Sequence, residues 1–183
     1  MANEAVHVIN VSKLDAARAQ LREAIVLFFE ERSPIAIHTL VLASHQVLHD
    51  YTGRSKSMIK NERAIAEYGK ERIERFNKEF NFFKHAKNDA QTLLTFDPEL
   101  QTFFLADALH LYAAATGSWP HEHKVFNFWF ILRRPHMVEV EVAKSAITSA
   151  HTAGWSHESK RIFLELLRNP VLFGIQGGST GVP

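Results

Sequence analysis

The sequence predicts an all-α single domain, a bundle of six to eight helices, on three observations. Apolar residues recur at three- and four-residue steps over long stretches, the spacing of one buried helix face. Glycine and proline together number fourteen of 183 residues, below the roughly 12% of average usage, and they sit between the periodic stretches. Hydrophobic residues make up 46% and charged residues 22%, which is ordinary globular composition at a length suited to one domain with a sizeable core.

In chain order, Ser12 is the expected N-cap of a first helix running to about Glu31, with Leu14, Ala17, Leu21, Ile25 and Phe28/Phe29 as its buried stripe. Ser33-Pro34, a cap followed by proline at the first helical position, opens a second helix from 34 to about 51 that stops before Gly53. A charged third segment, Ser57 to Lys87, carries Ile73, Phe76, Phe80 and Phe83 on one face, with Gly69 as a break. Asp97-Pro98 repeats the cap-then-proline signature for a fourth helix ending at Gly117. Pro120 and Pro135 bracket a short aromatic helix, Val125 to Leu132, with His121-Glu122-His123 read as a polar loop before it. Helices over 138–151 and 156–168 follow, the last stopped at Asn169-Pro170. Val6, Val8 and Val11, and the segment 92–96, have the β-branched character of a minor two-stranded ribbon. The helical domain is expected to span 1–173. Gly174, Gly177, Gly178 and Gly181 mark 174–183 as a flexible tail.

Several function classes conflict with the composition. Twenty-one Lys+Arg against twenty Asp+Glu leave a formal charge of +1, without the concentrated positive field of a DNA-binding domain, so no DNA partner is expected and RNA stays open. With no cysteine there is no disulfide, thiolate metal site or cysteine nucleophile. The N-terminal stretch lacks a basic n-region and an apolar h-region, and no apolar run approaches the roughly 18 residues of a membrane span. A cytoplasmic protein with no membrane partner is the expectation.

Histidine is the unusual residue, with eleven copies. His38, His45 and His49 lie on the second predicted helix, and at about 100° per residue they form one narrow stripe on an otherwise apolar element. His45 and His49 occupy adjacent turns, as two ligands of one divalent transition metal would, and Asp107 with His110 at i, i+3 on the fourth helix is the matching half-site. His38 is two turns from His45, so with Asn81 and His85 it is assigned to a small ligand. Together His38, His45, His49 and His85 are expected to line one polar pocket, with Asp89, Asp107 or His110 completing its hydrogen bonds. Ordinary structural histidines are the simpler reading of such a set, since a neutral imidazole has one donor and one acceptor nitrogen.

Other motifs are weaker. His49-Asp50 resembles the dyad of HD-type phosphohydrolases, but the earlier candidate, His38, lies on the same helix and no lysine follows the glycine. Arg32 to His38 is the one formal match to the Arg-x(4 to 6)-His pattern of HEPN-type ribonucleases, interrupted by Ser33-Pro34. Phe126, Phe128, Trp129 and Phe130, followed by Arg133-Arg134, are either core or a patch for a base or a protein partner.

The segments Ser33-Pro34-Ile35-Ala36-Ile37-His38-Thr39-Leu40, Asn81-Phe82-Phe83-Lys84-His85-Ala86-Lys87-Asn88-Asp89 and Thr95-Phe96-Asp97-Pro98-Glu99 resemble an uncharacterised family of small bacterial helical proteins, over residues 12–135. The resemblance implies a bacterial cytoplasmic origin and carries no activity. The leading functional expectation is therefore a homodimeric helical protein that binds a metal ion or small ligand through its histidine cluster. A metal-dependent hydrolase or HEPN-like ribonuclease is the enzyme alternative, and an interaction module built on the aromatic patch is the third class.

Overall fold

A computed structural model describes residues 8–62, 66, 70–85, 91–137, 141–152 and 154–173. Among them are seven α-helices: α1 (Lys13–Phe29), α2 (Pro34–Thr52), α3 (Lys70–Lys84), α4 (Leu100–Thr116), α5 (His121–Arg133), α6 (Glu141–Thr152) and α7 (Lys160–Arg168). Short 3₁₀ turns follow α2, α5 and α7. The all-α bundle is as the periodicity predicts. None of the helices is long and apolar enough to cross a membrane.

The expected capping chemistry starts the first two helices. Ser12 and Asp15 exchange side-chain and backbone hydrogen bonds in a capping box, which satisfies donors that the first turn of α1 would leave orphaned. Ser33 caps α2 with Pro34 behind it, and α2 ends on Gly53, whose φ of 85° suits a residue without a Cβ. The end of α1 is less conventional. The Arg32 N–H reaches the Leu27 carbonyl at 2.9 Å and the Glu31 N–H reaches that of Phe28 at 3.3 Å, a Schellman turn. Its left-handed position, φ 55°, is occupied by Glu31, where glycine is the usual residue.

Helix α2 is central, packed mainly between α1 and α4. Ile37, Val41, Leu42 and Leu48 are buried, and Leu40 and Val47 pack at the core's edge. Ala17, Leu21, Ala24 and Ile25 of α1 meet this layer, and small side chains there let the helices approach closely. At the C-terminal end of the same face of α1, Phe28 and Phe29 lock into Phe126, Trp129 and Phe163 from α5 and α7, with Phe28 and Trp129 centroids 4.6 Å apart in edge contact. The aromatic run of α5 is thus mostly core: Phe126, Trp129 and Phe130 are buried and Phe128 packs at the margin.

Several boundaries differ from expectation; the last helix, for one, begins at Lys160 and not at 156. No strand forms among the described residues; 8–12 and 92–97 are irregular, because neither short stretch has a sheet partner to satisfy its backbone. Asp97-Pro98 makes a turn, with the Asp97 carboxylate accepting the Glu99 N–H at 3.0 Å, and α4 begins only at Leu100. Helix α5 begins at His121, directly after Pro120, so His121-Glu122-His123 is the first turn of a helix and not a loop. Residues 57–61, expected to open the third helix, form a turn held to α4 by side-chain hydrogen bonds. The predicted tail, 174–183, and Asp89 lie outside the described residues.

Candidate functional site

Two concentrations of polar groups lie inside the bundle. The first is the histidine face of α2. His45 is 1% exposed and its Nε2–H donates to Asp107 Oδ2 at 2.7 Å. Asp107, 0% exposed on α4, also accepts the Ser57 hydroxyl at 2.6 Å and the Met58 N–H at 2.6 Å. The Ser57 hydroxyl in turn accepts the Lys60 N–H at 2.9 Å. Burial holds the His45 pKa below its ordinary value against the opposing pull of Asp107, so the ring is neutral at pH 7 and serves as a donor. Burial likewise depresses Lys60, whose ammonium is attracted by Asp107 and Asp50. Imidazole, hydroxyl and backbone amide thus tie the turn after α2 onto α4 through one carboxylate.

The predicted histidine pocket does not assemble. His38 is 0% exposed, but its ring is clamped edge-on between Phe83 and Phe96, with centroid distances of 5.6 and 5.0 Å, and neither ring nitrogen has a partner among the described residues. Desolvation alone lowers its pKa to about 4. Asn81 and His85 are exposed on the outer end of α3, because α3 turns its Phe83 side inward and leaves these positions to solvent. His49 stacks on His45, centroids 6.1 Å apart, and is half-buried with its Nδ1 3.8 Å from Asp50. His110 does not join Asp107: its Nδ1–H donates to the Ala106 carbonyl at 2.9 Å and its ring abuts Trp119. The i, i+3 spacing allows a shared face, but this intrahelical bond turns the ring elsewhere. Of the metal half-sites only the His45–Asp107 contact forms, and among the described residues no group of three His, Cys, Asp or Glu side chains is placed to hold a metal ion.

A further buried histidine went unread as such in the sequence. His123 is 0% exposed on α5, packs against Tyr112 at 4.9 Å, and has no partner on either nitrogen among the described residues. Burial lowers its pKa to about 4, a trend that Glu122 opposes and Arg18 reinforces. The available signal was spacing, since His123, Phe126 and Phe130 fall on one helical face once the helix is started at Pro120.

The second concentration is an open cleft of about 340 Å³ where the α1–α2 turn, the start of α4, the end of α5 and the start of α7 meet. Phe28, Pro34, Ile37, Pro98 and Trp129 supply its apolar wall, and Arg32, Arg133, Lys160, Glu31 and Glu99 its charges. The aromatic floor is already decked with cations: the Lys160 ammonium lies 4.2 Å from the Phe28 centroid and the Arg133 guanidinium 5.9 Å from that of Trp129. Arg133 grips Glu99 in a two-pronged pair at 3.0 and 3.1 Å. Arg134 bonds Glu99 from beneath while sandwiched between Phe103 and Phe130, and burial pulls its pKa down against the pull of Glu99. Lys160 is 3.8 Å from Glu31. Arg32 is exposed and makes no carboxylate contact among the described residues. At the base, Gln101 is only 4% exposed and its Oε1 has no hydrogen-bond partner there.

These cleft residues come from separate parts of the chain and share no local motif, which is why sequence reading passes over Gln101, Arg133 and Lys160 and takes Arg32 only as part of a ribonuclease pattern. Comparison of the chain with protein-family models, with curated proteins and with solved structures gives no match.

Proposed function

We propose that this protein binds a small anionic ligand in the cleft between α1, α4, α5 and α7, and that the His45–Asp107 network between α2 and α4 is structural. The observation that carries the reading is the state of the polar groups in the cleft. A fully buried carboxylate such as Asp107 has its donors inside the fold, whereas the cleft combines a guanidinium, Arg32, and a buried amide oxygen, on Gln101, that have no carboxylate and no donor, respectively, among the described residues. Buried polar atoms left unsatisfied cost about 1 to 3 kcal/mol each, and a bound molecule that supplies the missing partner recovers that energy. The cleft volume falls at the small end of the roughly 300–1,000 Å³ typical of ligand sites.

Calorimetric titration with phenylacetate, a small carboxylate with an apolar body, tests this. Saturable binding that Arg32→Gln weakens about tenfold, the scale of one charge-assisted hydrogen bond, is expected. Absence of binding by phenylacetate and by other small carboxylates contradicts it.

A further inference from the structure

We infer that the ligand of this cleft is an apolar 2-hydroxy acid: a monocarboxylate carrying a hydroxyl donor on the carbon next to its carboxylate. This rests on the cleft reading above and names its ligand class from four properties of the lining.

Charge sets the first requirement. The lining cations Arg32, Arg133 and Lys160 outnumber the carboxylates Glu31 and Glu99, and Arg134 beneath adds a further cation on Glu99, so the site calls for an anion. An amino acid, zwitterionic at neutral pH, leaves the surplus in place, and a phosphate brings no apolar body for the wall of Pro34, Ile37 and Pro98. Shape and donor geometry set the second. Arg133 and Lys160 already face carboxylates, but Arg32 does not, and a planar guanidinium fork matches the two oxygens of a carboxylate.

The third requirement comes from Gln101. Its buried Oε1 is an acceptor only, so the group it lacks is a donor, which a simple carboxylate does not have at neutral pH. A hydroxyl beside the carboxylate supplies that donor without adding a charge. The fourth is the wall of Pro34, Ile37 and Pro98, which favours an apolar substituent and offers no polar side chain to a sugar-like one.

The rim itself is consistent with a site. Glu31 holds a left-handed backbone position that glycine would take with less strain, and by doing so it places a carboxylate opposite Lys160 while the next residue, Arg32, opens toward the cleft.

Titration of the full chain with mandelate, phenylacetate, phenylalanine and inorganic phosphate separates the possibilities. Mandelate is expected to bind about tenfold more tightly than phenylacetate, the difference of one buried hydrogen bond. Gln101→Met should abolish that preference while leaving phenylacetate affinity in place, and Arg32→Gln should weaken both. If Gln101→Met fails to fold, Gln101→Asn, which withdraws the oxygen by one methylene, must also reduce the preference. Equal affinities for mandelate and phenylacetate overturn the inference and leave the cleft reading standing. Phenylalanine or phosphate as the tightest ligand overturns it. If none of the four binds, both fall.

Discussion

The Asp107 network between α2 and α4 and the cleft beside α1 are two polar sets of the bundle, and they are built on opposite principles. At the first, Asp107 collects a ring N–H, a hydroxyl and a backbone N–H, all from within the fold, and no water-filled space is needed to satisfy it. At the second, cations lie across aromatic rings around a volume of about 340 Å³, and an amide oxygen beneath them is left without a donor among the described residues. Titratable side chains on a buried helix are therefore a poor guide to function by themselves. The Asp107 network differs from the cleft in that the partners of its carboxylate are part of the same fold.

Breaking the closed set should have the largest effect. Asp107→Ala strands three donors in the interior and is expected to lower folding stability by about 3 to 5 kcal/mol, seen as a shifted urea midpoint. The equally drastic Arg32→Ala on the open set should change stability by less than about 0.5 kcal/mol. Comparable losses from the two would erase the distinction.

The unpartnered histidines give the second effect, through pH. His38 and His123 have pKa values of about 4 in the folded chain against about 6.5 when unfolded. Between these values the unfolded state binds protons that the folded state does not. Stability is then complete above pH 6.5 and falls as pH drops toward 4, by about 3 kcal/mol for each ring. His38→Leu should remove its share of the acid sensitivity and leave stability at pH 7 within about 1 kcal/mol, since no hydrogen bond is lost among the described residues. A large loss at pH 7 would mean that His38 has a partner after all. Urea midpoints measured across pH 4 to 7 for both proteins make the comparison.

The smallest effect tests the rim. Glu31→Gly relieves the left-handed backbone and is expected to stabilise the fold by up to about 1 kcal/mol in thermal unfolding. No gain, or a loss, would show that the Glu31 side chain stabilises the turn by more than its backbone strain removes.

How far the sequence reaches depends on the range of the forces involved. Capping acts within one turn, so Ser12 with Asp15 and Ser33 with Pro34 are legible as helix starts. Periodicity is averaged over a whole helix, so the central burial of α2 at Val41 and Leu48 is legible too. Asp97-Pro98 misleads because an Asx turn and an N-cap use the same side-chain chemistry, and packing of the residues downstream decides between them. At the site level the sequence shows that His45 and Asp107 are able to meet, and they do. It does not show that His110 would bond its own helix, or that Ser57 and Met58 would fill the remaining positions around the carboxylate. The cleft is hidden for a different reason: Arg32, Gln101, Arg133 and Lys160 belong to four segments brought together only by packing.

Whether the open cleft or the closed Asp107 network receives the ligand can be read residue by residue. In ¹H–¹⁵N correlation spectra of the full chain titrated with phenylacetate, signals should shift around the α1–α2 turn at Glu31 and Arg32, at Glu99 to Thr102, and at the Trp129 indole N–H, which donates to the His157 carbonyl beside the cleft. The amides of His45, Ser57, Met58 and Asp107 should stay in place. Shifts centred on those four residues, with the cleft signals unmoved, would return the binding role to the histidine face and contradict the assignment of the cleft.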